Sequence, residues 1–190
     1  MKKKIDFSLI SRIVKIASLV FITLCFVCLS LPAITVVSGS VAKTYGSTYS
    51  FIFKGAIKTD NISYNAYGLS PITLIAFIIL VLSALALLAS FIIKDKNKNI
   101  PQWLIFASAI LILIGSILLF CSHKRIASVL ADTLIKGHSD AVSKTIFDNS
   151  KIEFGIWGPA TFALISSFLS LTSLLFDGSF DKVRAKIGII

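Results

Sequence analysis

Nine acidic side chains, two histidines and three cysteines are all that 190 residues hold for acid–base, metal or thiol chemistry. His123 and His138 stand 15 positions apart, with no Cys or His at ligand spacing beside them, which argues against a zinc site. Asp132, Asp140, Asp148 and Glu153 occur singly among lysines, so no carboxylate pair is set up for general acid and base roles. A glycine-rich phosphate loop is also missing. The sequence therefore offers no catalytic, cofactor-binding or metal-binding residues, and the expectation is a protein without cofactor that is not an enzyme.

Charge is scarce too, at 15% of residues against 56% hydrophobic, a balance outside the range of ordinary soluble domains. What the chain has instead is long uncharged runs. Residues 71–93 and 100–121 carry no charge over 23 and 22 positions, and each can cross a hydrocarbon core of roughly 30 Å at about 1.5 Å per residue. Residues 156–176 form a third run and 16–37 a fourth. The expected fold class is membrane α-helical: one integral membrane domain over 1–190, a four-transmembrane-helix bundle with outer segments 38–70 and 122–155 and an inner link at 94–99. A small extracytoplasmic β-sheet plus an amphipathic helix, built from the two outer segments, completes it. The first run follows Met1-Lys2-Lys3-Lys4, as the core of a signal peptide would, but its 22 uncharged residues are too many, and it reads as a retained helix.

The net charge of +10 needs no nucleic acid to explain it. Lys2, Lys3, Lys4, Arg12 and Lys15 precede the first run, Lys94, Lys96 and Lys98 crowd the inner link, and Lys182, Arg184 and Lys186 follow the last run. In a four-span chain these lie on one side, and basic residues beside helix ends mark the cytoplasmic face. The expected placement is multi-pass in the plasma membrane with both termini cytoplasmic. Trp103 and Trp157 stand at the starts of the third and fourth runs, where indole prefers the membrane–water boundary.

In the first outer segment, Thr48-Tyr49-Ser50-Phe51-Ile52-Phe53-Lys54 alternates in the period of a strand. Tyr45, Tyr49, Phe51 and Phe53 thereby become a candidate outer contact surface. Residues 33–45 supply a partner strand, with the turn at Gly46-Ser47 and further turns at Gly55 and Asp60-Asn61. In the second outer segment, Ile126, Val129, Leu130, Leu134 and Ile135 recur at helical spacing up to Gly137. Lys151 to Trp157 alternates again and is expected to add a strand to the first hairpin, since a lone hairpin is marginal in water.

Within the fourth run, Ala163, Ser166, Ser167, Ser170 and Ser173 line one side as a candidate helix-packing face, because small residues let backbones approach and hydroxyls bond across. Ser83, Ala86 and Ser90 in the second run and Ser108 and Gly115 in the third are candidate partners. A polar permeation path is the sharper alternative. Against it, the runs hold no Asp, Glu or His, residues that mark transport paths. In the first run Cys25 and Cys28 form a C-x-x-C, and Pro32, lacking an N–H, ends or kinks the helix and leaves the Cys28 carbonyl unpaired. One C-x-x-C among four helices resembles the periplasmic disulfide-generating quinone reductases and the vitamin K epoxide reductases. Such enzymes relay electrons through a second cysteine pair, and only Cys121 remains here. Buried cysteines acting as small apolar residues are the preferred reading.

The order helix, outer hairpin, helix, short basic link, helix, outer helix, strand, helix resembles the claudin-type architecture. The first outer segment has neither the Trp nor the two Cys of claudins, so tight-junction sealing is not implied. Leu31-Pro32, Gly68-Leu69-Ser70-Pro71 and Phe154-Gly155-Ile156-Trp157 are also similar to short motifs in small four-span proteins of low-GC bacteria. The function expected is that of a non-enzymatic accessory or structural interaction component. Its partners would be membrane lipid and either another protein or a second copy of itself, with no nucleic acid. The alternatives are a transporter or channel subunit and, less favoured, a membrane thiol–disulfide oxidoreductase.

Overall fold

The computed structural model describes residues 7–38, 40–59, 62–66, 68–93, 99–134, 146 and 148–176. Four helices are long and apolar enough to cross a membrane: α1 (Phe7–Cys28), α3 (Pro71–Ile92), α4 (Asn99–Cys121) and α6 (Phe154–Phe176). A cap at one end of this bundle contains β1 (Pro32–Ser38), β2 (Val41–Ser47), the short α2 (Thr48–Ile52), β3 (Ala56–Thr59), β4 (Ile62–Asn65), α5 (His123–Leu134) and β5 (Ser150–Ile152). The inner link 94–98, Tyr67, the Asp60-Asn61 turn, Ile135, Gly137 and His138 lie outside the described residues.

The first long helix is not the expected 16–37. It begins by Phe7 and ends at Cys28, because Leu9, Ile10, Ile13 and Val14 extend its apolar period while Arg12 and Lys15 ride on its side. Lysine and arginine bury their stems along apolar surface and reach water at the tip, so they do not end such a helix. At the other end Pro32 cannot donate a ladder bond and the β-branched Thr35, Val36 and Val37 favour a strand, so an apolar run read as span divides into helix and β1. The stop is a tight turn in which Ser30 N donates to Val27 O at 3.1 Å and Leu31 N to Cys28 O at 3.0 Å. The Cys28 carbonyl, expected to be orphaned, is therefore satisfied.

The second difference is Thr48 to Lys54, which is the short helix α2 and its closing turn rather than strand. Ser47, extended at φ −94°, ψ 162°, caps α2 by accepting from Ser50 N. Lys54 adopts the left-handed φ of 54°, and Gly55 N returns to Ser50 O at 2.9 Å, closing the helix with a Schellman bond. The hairpin forms instead between β1 and β2, in antiparallel register Ile34↔Tyr45, Val36↔Lys43 and Ser38↔Val41. Gly46 lies inside β2 at φ 48° rather than at the turn. Strand β5 pairs with the other edge of β1, Ile34↔Ile152 to Val36↔Ser150, giving the order β2-β1-β5, while β3 and β4 form a separate two-stranded sheet.

Two main cores result. In the cap, Ala33, Ile34, Phe51, Ile57, Leu130 and Ile156 are among the buried residues that join sheet, α2, α5 and the start of α6. Helix α5 turns its Ile126, Ala127, Val129 and Leu130 face into this core. In the bundle, Ile22, Cys25, Leu80, Ile112, Leu119 and Ala160 are packed together. Helix α6 packs between α1 and α4, and α4 carries α3; α1 and α3 meet only lightly.

Candidate functional site

The bundle buries a band of hydroxyls within its apolar core and turns large apolar side chains outward. Ser11, Ser18, Ser108, Ser116, Ser166, Ser167, Ser170 and Ser173 are buried, whereas Leu9, Ile13, Val27, Leu82, Leu85 and Phe168 are more than half exposed. The candidate packing face of α6 sits within this interior, with Ala163 and the four serines all buried. Ser18 Oγ donates to Ser166 O at 2.8 Å, and Ser170 Oγ lies 2.7 Å from Ser18 Oγ. Ser166 Oγ returns a bond to Ser18 O at 2.9 Å, and Ser11 Oγ donates to Ser173 O at 3.1 Å. On the side of α4, Ser167 Oγ donates to Ala109 O at 2.8 Å and Ser116 Oγ to Ala160 O at 2.7 Å. The serines thus form a seam that fixes α6 to both neighbours.

Ser83, Ser90 and Ser108 instead bond back to the carbonyls of Leu80, Leu87 and Ile105 on their own helices. Gly115 marks the α3–α4 contact: a Cβ there would stand 2.8 Å from Leu80 Cδ2. Ser11 escaped sequence reasoning because the first helix was framed nine residues late, whereas Ser18 lay inside the expected run without being read as part of the packing face. The heptad spacing Ser11, Ser18, Cys25 carried the missing signal.

A second junction joins cap to bundle. Pro159, inside α6, has no N–H for the carbonyl of Gly155 four residues earlier. The fully buried Thr48 fills the gap by donating its hydroxyl to Gly155 O. Gly155 is also where backbones touch, since a Cβ there would stand 2.2 Å from Leu31 O and 2.5 Å from Pro32 O. This gives a physical cause for the Phe154-Gly155-Ile156-Trp157 motif. The Gly-x-x-x-Pro spacing was the available signal for an orphan carbonyl. Nearby, Tyr49 Oη donates to Phe26 O at 2.9 Å, and burial first, with Cys25 second, raises the phenol pKa so that it stays a donor.

The candidate outer contact residues do not share a face, because the strand that would have aligned them is α2. Phe51 is fully buried, Tyr45 packs half-buried on the cap core, Tyr49 is half-buried over Phe26, and Phe53 is 59% exposed. Beside Tyr45 the cap holds a cleft of about 450 Å³ between β2, α2 and β3, lined by Thr44, Gly46, Ser47, Ser50 and Lys58 among others. His123 Nε2 lies 3.4 Å from Ser150 Oγ across the α5–β5 gap. Cys25 and Cys28 are free and buried, and Cys121 is free and exposed. Among the described residues no three His, Cys, Asp or Glu side chains gather as a metal site.

No protein-family model and no curated protein matches this chain. Its functional reading therefore rests on the seam, the junction and the cap.

Proposed function

We propose that the chain is a four-span integral membrane protein of the plasma membrane, with both termini cytoplasmic and the cap outside. Its function is non-enzymatic: the bundle holds the cap in a fixed pose, and the cap contacts a partner protein or a second copy of the chain. The observation that carries this is the bundle, whose buried seam hydroxyls are each bonded within or between helices while its outer faces are Leu, Ile, Val and Phe. That pattern suits lipid outside and rigid packing inside. It supports a scaffold over a permeation path, which needs polar groups open to an ion or solute. The claudin-type layout belongs to the same proposal, supported by the order of elements and by a sheet drawn from both connections.

The cap offers an edge for such contacts. β2 lies at the rim of its sheet and its first four residues are exposed, with Val41 at 54%, and edge strands are natural sites for strand addition. Val41→Cys in a chain with Cys121→Ser should give one specific cross-linked product in native membranes, identified by mass spectrometry. A strict monomer with no cross-linked partner would overturn the contact role.

A further inference from the structure

Strand β2 is the rim of its sheet, and the bonding of β1 shows which of its main-chain groups face outward. Val37 N donates to Asn149 O at 3.1 Å and Glu153 N to Ala33 O at 3.0 Å, so the odd-numbered residues of β1 serve β5. Alternate residues of a strand turn both main-chain groups to the same side, which leaves Ile34 and Val36 to bond their partners Tyr45 and Lys43 in β2. Ala42 and Thr44 then turn N–H and C=O away from β1, where no strand pairs with them among the described residues. This open edge runs into the cleft of about 450 Å³, whose wall Thr44 shares with Ser47, Ser50 and Lys58. Ser50 Oγ donates to Ala56 O at 2.9 Å, so the Ser47 hydroxyl proton is left for Ser50 Oγ, a long 3.3 Å away, or for a ligand. Lys58 is exposed, and residues 32–59 hold Lys43, Lys54 and Lys58 without a single acid.

We infer that this edge and cleft bind an extended acidic segment of a partner protein, which adds as a strand beside β2 and sets a carboxylate against Lys58 and the Ser47 hydroxyl. Two observations select that occupant. Outward donors and acceptors that recur every second residue match the main chain of another strand, whereas a sugar or a phosphate would leave them unused. Three lysines with no acid among them complement a carboxylate. A second copy of the chain would instead bring the same lysines to the contact, and like charges across paired strands oppose pairing.

The inference rests on the cap as a contact surface, and the two fail differently. A Val41→Cys chain with no cross-linked partner in native membranes defeats the contact role and this site with it, whereas a cross-linked partner without affinity for an acidic strand defeats this site alone. The probe is a fluorescein-labelled, amide-capped peptide Thr-Val-Thr-Glu-Thr-Val, titrated by anisotropy against the full chain in detergent micelles. The wild type should bind it about threefold more tightly than the peptide with Gln in place of Glu, the size of one exposed ion pair. Lys58→Gln should bring the two peptides to equal affinity. Thr44→Pro removes an outward N–H while sparing the ladder to β1 and should abolish binding. Methylating every amide nitrogen of the probe, which leaves the protein untouched, should abolish it too. Equal affinity of the wild type for both peptides, a preference unmoved by Lys58→Gln, binding that survives either main-chain change, or a cross-link joining two copies of the chain would each overturn it.

Discussion

Two buried threonine hydroxyls have opposite fates, and the difference sets what their removal does. Thr48 donates to the carbonyl that Pro159 leaves unpaired, so Thr48→Val strips a buried acceptor of its partner and should cost about 1–3 kcal/mol in thermal or denaturant unfolding. Thr35 Oγ1 is buried without a partner. Thr35→Val keeps the shape and removes the desolvation penalty, so stability should stay equal or rise by about 1 kcal/mol. His123 gives a pH signature. Burial, and after it the Lys124 charge, hold its pKa below the ordinary 6.5. The neutral ring is thus favoured in the fold and the unfolded chain takes up the proton more readily. The stability from this group is complete above pH 6.5 and is lost as pH falls through the lowered folded value. Hydrogen exchange of α5 and β5 should accelerate over that window in the wild type and lose this component in His123→Gln.

At the scale of elements, the seam makes α1, α6 and α4 one unit. A double-mutant cycle of Ser18→Ala and Ser170→Ala, read as unfolding free energy in detergent, should show a coupling of about 0.6 kcal/mol, the average for such bonds between apolar helices. Additive single effects would mean that the hydroxyls do not bind the helices together. The existence of these helices, the amphipathic face of α5 and the strand near Lys151 were legible in sequence because each depends on length or local period. Helix α1 was misframed because hydropathy does not separate a span from a buried strand: Ala33 and Ile34 are as apolar as the helix and fully buried, yet belong to the sheet. Thr48 to Lys54 misled in another way. Its alternation matches a strand, but a Ser47 cap and a left-handed Lys54 favour one helical turn, and the gain is decided by burying Phe51 and Ile52 in tertiary contact. The Gly155 and Thr48 junction was illegible because it links residues 107 positions apart.

At the scale of the whole molecule, the seam holds the bundle together and the cap sits at the end where α1 and α4 stop and α3 and α6 begin. The cap is tied down by backbone bonds from β1, α2 and α3, including Glu153 N to Ala33 O at 3.0 Å and Ser70 N to Phe51 O at 2.9 Å, so it should move with the bundle as one body. Sidedness is the claim on which the proposed partner contact depends. It is tested most directly by labelling intact cells with a membrane-impermeant thiol reagent, using Val41→Cys and Lys96→Cys in a background with Cys25→Ala, Cys28→Ala and Cys121→Ser. The account predicts that Val41→Cys labels in intact cells and Lys96→Cys only after lysis. Labelling of both in intact cells, or the reverse order, would contradict it.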